Sequence, residues 1–133
     1  MASIRQEIQV AAPAEKIWDA VRDVGEIHRR LVPGFVTDCK LDGDARIVTF
    51  GNGMVAREVI VDLDDAARRA VWSASGGRLT HHNASLQVFA EDAAHSRLVW
   101  IADLLPHEMK PAIAGMIAEG LKAMKRTLEN PGI

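Results

Sequence analysis

Residues 106–130, PHEMKPAIAGMIAEGLKAMKRTLEN, carry one apolar stripe in which Met109, Ile113, Met116, Ile117, Gly120, Leu121, Met124 and Leu128 recur at spacings of three and four. That period belongs to an amphipathic helix of about seven turns with one face to bury. Pro106 opens the segment, and Pro111 falls in its first turn or so, where a missing N–H is tolerated. Pro131-Gly132 closes it. No other segment is helical over this length, so whatever covers the stripe decides the fold.

From Phe35 to Leu105 the pattern turns from helical to alternating. FVTDCKL and ARIVTF flank Asp42-Gly43-Asp44, and ARIVTF and MVAREVIVDL flank Gly51-Asn52-Gly53. Asp-Gly and Asn-Gly supply the positive φ angles of hairpin turns. DDAARRAVWSAS, THHNASLQVFA and RLVWIADLL follow through Asp64-Asp65, Gly76-Gly77 and EDAAHS. The opening SIRQEIQV also alternates, with Ile4, Ile8 and Val10 on one face and Arg5, Glu7 and Gln9 on the other. It is the seventh strand. The short connections imply an antiparallel sheet. After the first strand, APAEKIWDAVRDVGEIHRRLVPG is helical, with Ile17, Val21 and Val24 in register, Gly25 dividing it in two and Pro33-Gly34 ending it.

A large sheet with one apolar face curls around the long amphipathic element. The expected fold is α+β: a seven-stranded curved antiparallel sheet wrapped around a long C-terminal helix, with two short helices after the first strand. Whether side chains fill the space between sheet and helix, or leave it for a ligand, stays open on these grounds.

Composition narrows the function classes. The 133 residues fit a single domain spanning 1–133, with 48% hydrophobic and 26% charged residues. A net charge of −2 offers no footprint for nucleic acid. The single cysteine, Cys39, rules out an internal disulfide and thiolate metal clusters. It alternates with Phe35, Thr37 and Leu41 and reads as a small core residue. No apolar run is long enough to insert in a membrane, and the charged N-terminus is unlike a signal peptide, so a cytoplasmic protein is expected. A homodimer stays open.

Three motifs, in order, carry a family resemblance. FGNGMVAREVIVDLDD places Glu58 before Asp64 and Asp65; GGRLTHHNASLQV follows; LVWIADLLP precedes the long helix. Together they resemble the START-like, or SRPBCC, superfamily with its helix-grip fold, nearest to its polyketide cyclase/dehydrase and lipid-transport group. The resemblance covers essentially the whole chain. It implies an internal cavity, a Gly51-Asn52-Gly53 loop gating the mouth, and a ligand-contacting side chain at His82, where relatives often carry Tyr. This scaffold hosts carriers, receptors and enzymes alike.

In HHNASLQV, His82, Ala84, Leu86 and Val88 share the apolar face, so His82 is expected inward and His81 toward solvent. The adjacent histidines cannot share a metal, and neither a metal nor a cofactor is expected, since HExxH and cysteine pairs are lacking. Gly51-Asn52-Gly53 sits between strands and fails as a phosphate loop. Glu58 shares a face with Met54, Ala56 and Ile60, opposite Arg57, Val59 and Val61, and parity does not decide which face is inner. Glu58 reads either as a solvated carboxylate paired with Arg57 or a cross-strand base, or as a cavity group. Trp100 and Trp72 sit in apolar phase, while Trp18 reads as structural. His95 and His107 read as exposed, and His28 as a weak ligand contact near the mouth.

These residues point to a protein that encloses a small hydrophobic ligand: a lipid, polyketide or aromatic compound. Met54, Trp72, Leu86, Trp100, Met116 and Ile117 would form apolar walls, and Glu58 and His82 would orient polar groups. The alternatives are a cofactor-independent cyclase/dehydrase with His82 and Glu58 as acid/base groups, and a module whose cavity loops close on a partner protein.

Overall fold

The computed structural model describes residues 2–130. Strand β1 (Ala2–Val10) is followed by helices α1 (Ala14–Arg22) and α2 (Ile27–Arg30). Strands β2 (Val36–Asp42), β3 (Ala45–Phe50), β4 (Val55–Asp64), β5 (Arg69–Ser75), β6 (His81–Ala90) and β7 (Ser96–Leu105) come next. Helix α3 (Lys110–Glu129) is the last described element and follows a single 3-10 turn at His107–Met109. All seven strands form one antiparallel sheet in the order β1-β7-β6-β5-β4-β3-β2. The meander from β2 to β7 is therefore extended by β1, which pairs beside β7 as one edge of the sheet with β2 as the other, and the sheet and α3 form the expected helix-grip arrangement.

The long helix is shorter than its stripe implied. It begins at Lys110 and runs 20 residues, with Pro111 in the first turn, where its lost donor had no intrahelical partner. Pro131-Gly132, read as its stop, lies outside the described residues. Ile113, Ile117, Gly120, Leu121, Met124 and Leu128 face the sheet and are buried. Gly120 sits where α3 presses on β7: a Cβ there would lie 2.8 Å from Trp100 Cζ3 and 3.3 Å from Phe35 Cε2. A larger residue would force helix and sheet apart.

Alternation predicts most strand faces and fails at two bulges. The β2–β3 register shifts between Val36 and Asp38, so Val36 and Cys39 both point inward although three residues apart. Thr37, expected beside Cys39, is the residue the bulge displaces and is exposed. Leu41 keeps the face of Cys39, opposite Arg46 and against Gly25, and is 65% exposed because it lies on the edge strand. Cys39 itself is buried, and burial pushes its thiol pKa up. A second shift falls between Ile60 and Asp62 on β4. It turns the strand after Ile60, so that Leu63 packs against the core while Val61 is exposed.

Loops at one end are tied to each other. Gly51 N–H donates to the Phe35 carbonyl at 2.9 Å, and a Cβ on Gly51 would meet the Gly34 carbonyl oxygen at 2.6 Å. Only glycine lets the Pro33-Gly34 and Gly51-Asn52-Gly53 turns pack backbone on backbone. At the other end, Trp18 of α1 is buried and its Nε1 donates to Asp65 at 2.8 Å, fastening the Asp64-Asp65 turn to the helix.

Candidate functional site

Glu58 on β4 pairs directly opposite Arg46 on β3. Both side chains turn inward: Arg46 is 6% and Glu58 8% exposed. Arg46 Nε donates to Glu58 Oε1 at 2.8 Å and its Nη1 to the Val24 carbonyl at 3.3 Å. The guanidinium also lies 5.4 Å from the centre of the Trp72 ring. Desolvating two charges costs several kcal/mol per ion, which only close pairing and added hydrogen bonds offset. The face left undecided by parity is thus settled, and the partner of Glu58 is Arg46. Arg57 is exposed and reaches Asp42 instead.

His82 of β6 is buried on the same concave face, opposite Leu104 of β7. Its Nε2 is enclosed and has no hydrogen-bond partner among the described residues. Burial, and secondarily the neighbouring His81, hold its pKa below the usual 6.5. The imidazole is therefore neutral at neutral pH, with one nitrogen able to give a hydrogen bond and the other able to take one. His81 lies on the other face of β6 and is partly exposed. Among the described residues no three His, Cys, Asp or Glu side chains converge as a metal-ligand set.

Trp72 and Trp100 meet edge to face, centroids 5.8 Å apart at 65°. Trp100 Nε1 is also buried without a hydrogen-bond partner among the described residues. Around these groups lies a cavity of about 50 Å³ whose wall includes Glu58, Trp72, His82, Leu86, Trp100 and Met116. A second void of about 60 Å³ adjoins it, bordered by Met54, Phe50, Glu58, His82 and Met116. Such spaces hold a few waters, whereas ligand sites commonly run to several hundred Å³. Outside them a groove of about 490 Å³ runs between the Gly34 and Gly51-Asn52 loops and α3, also bordered by Phe50, Met54 and Met116. Phe50 and Met116 border all three spaces.

Of the residues singled out from sequence, Glu58, Trp72, His82, Leu86, Trp100 and Met116 come together around the main cavity. Met54 is 55% exposed and stands at the rim. Ile117 is fully buried in the packing of α3 and does not line the voids. His28 is half-buried on α2, its Nδ1 enclosed without a partner, and it does not line them either. His95 is exposed and bonds Asp92, and His107 is exposed in the 3-10 turn. Sequence reasoning missed Arg46, Phe50 and Phe35. For Arg46 the signal was present: a hairpin centred on Asn52 sets residues equidistant from it opposite one another, and Arg46 and Glu58 are equidistant.

A curved antiparallel sheet gripping one long helix, with polar groups enclosed between them, defines the START-like (SRPBCC) class. Residues 1–129 match the model of the polyketide cyclase/dehydrase and lipid transport family, and the chain belongs to that family. No curated protein matches the sequence. Among solved structures, a Thermobifida fusca protein determined by solution NMR is 32% identical, with a TM-score of 0.75 over 94% of this chain and 91% of that one. A Streptomyces aromatase/cyclase is 18% identical, with a TM-score of 0.77 over 96% and 93%. Norcoclaurine synthase from Thalictrum flavum is 21% identical, with a TM-score of 0.72 over 94% and 84%. At those identities the last two share the fold. No helix among the described residues is long and apolar enough to cross a membrane.

Proposed function

We propose that this is a cytoplasmic protein that binds a small, largely hydrophobic ligand, a lipid, polyketide or aromatic compound, between the sheet and α3. The observation that carries the reading is the enclosed Nε2 of His82, without a partner in a wall otherwise built mainly from apolar side chains. Leaving a buried polar atom unpaired costs about 1–3 kcal/mol, which a ligand hydroxyl or carbonyl would recover. Trp72, Leu86, Trp100 and Met116 supply apolar surface, and Met54 supplies the rim. Because the closed voids are small, binding requires Phe50 and Met116 to swing aside and join them to the groove. Native mass spectrometry of the purified protein tests this by detecting retained small molecules, and His82→Gln should weaken that retention.

A cofactor-independent cyclase/dehydrase is the second reading, favoured by the neutral, unpartnered imidazole beside the Glu58–Arg46 pair. His82 would take a proton from carbon next to a ligand carbonyl and return it to the departing or newly formed oxygen. Glu58, held by Arg46, would orient the reacting chain. In a carrier, His82→Gln and Glu58→Gln change affinity alone; in an enzyme they lower turnover far more than binding.

A further inference from the structure

Trp100 reads from sequence as an apolar wall, but its polar atom is the one left unpaired. Two neighbours fix the indole. Its six-membered ring is seated against the bare face of Gly120, where an added Cβ would stand 2.8 Å from Cζ3 and 3.3 Å from Cη2. Trp72 stands edge-on to it at 5.8 Å. Nε1, on the other ring, is buried with no acceptor among the described residues, and Trp100 is part of the cavity wall. An indole N–H only donates, so the missing partner must be an acceptor. Trp18 shows the contrast, with Nε1 bonded to Asp65 at 2.8 Å.

The second unpaired group lies at a distance. His82 is opposite Leu104, four residues from Trp100 on β7, which is roughly 13 Å of strand. The buried charges between β3 and β4 neutralise each other, Arg46 on Glu58. We infer that Trp100 is a ligand-selecting hydrogen-bond donor, and that the cavity takes an uncharged, elongated apolar molecule with an acceptor oxygen at the Trp100 end and a second polar group at His82. Gly120 acts as the positioning residue for the indole. This rests on the cavity-binding reading above.

The test is an NMR titration of the wild-type protein, labelled with nitrogen-15, with acetophenone and with ethylbenzene, two probes of similar shape of which only the first carries an acceptor oxygen. The Trp100 indole resonance is identified by its absence in Trp100→Phe. Acetophenone should move that indole proton downfield and ethylbenzene should not. In Trp100→Phe the ratio of acetophenone to ethylbenzene affinity should fall about three- to tenfold, the loss of one hydrogen bond. Acetophenone bound in the cavity with the Trp100 proton unmoved, or an unchanged ratio in Trp100→Phe, overturns the donor role and leaves the cavity reading standing. A Trp100 proton bonded to water rather than to the ketone in the acetophenone complex overturns it equally. If neither probe binds, the cavity reading fails and the donor role with it.

Discussion

Replacing Arg46 with Met leaves the Glu58 carboxylate enclosed without its cation. In the folded protein the two side chains are 7% and 10% exposed and meet at 2.8 Å, so water cannot take over the missing contact without entering the core. Removing one partner of such a pair costs about 3–5 kcal/mol. The lost bond to Val24, at 3.3 Å, adds little, and the Met side chain can refill part of the volume against Trp72. A chain of this length holds a total stability of roughly 7–20 kcal/mol, so the variant stays folded but shifts measurably. Removing both charges together, in Arg46→Met/Glu58→Leu, abolishes the desolvation cost as well. That double variant should lie within about 2 kcal/mol of wild type, on either side. Urea unfolding of wild type, Arg46→Met, Glu58→Leu and the double variant, followed by tryptophan fluorescence, gives the full cycle. A loss below about 1 kcal/mol in Arg46→Met, the range of a solvated surface pair, would refute the view that this end of the cavity is dry.

Three further outcomes follow from the same geometry. The folded pKa of His82 lies below the unfolded value of 6.5, so the unfolded chain takes up that proton first. Its contribution to stability is full above 6.5 and falls as pH drops from there through the folded value; His82→Gln should flatten that part of a melting-temperature profile, and parallel profiles would contradict the burial of the ring. Gly120→Ala drives a methyl into Trp100 and should destabilise by about 1–3 kcal/mol while shifting tryptophan emission, whereas Gly115→Ala, with nothing within 4 Å, should stabilise by about 0.5–1 kcal/mol. Phe50→Ala removes one of the two side chains shared by both voids and the groove, so stopped-flow uptake of acetophenone should become faster than in wild type.

The fold was legible because its two periods are clean: alternation from Phe35 to Leu105, then a helical stripe. Faces were lost where a bulge adds a residue, since nothing in VTDCKL or VIVDLD marks the extra step that brings Val36, in place of Thr37, to the side of Cys39 and turns Leu63 inward. The orientation of Glu58 escaped parity because the cost of burying its charge is offset by the opposing Arg46, and hydrophobicity patterns do not register a buried ion pair. The inward placement of His82 followed from strand alternation alone. The small size of the voids had no sequence signal, because it depends on how Phe50 and Met116 pack between loop and helix.

The central claim, that ligand binds inside the sheet-and-helix enclosure, is tested most directly by filling that space. Ala70 is buried on β5 and lines the main cavity. Native mass spectrometry of wild type and Ala70→Phe, each with excess acetophenone, should show a one-to-one complex in wild type and the bare protein in the variant. Equal occupancy in both proteins would place the ligand elsewhere and contradict the account.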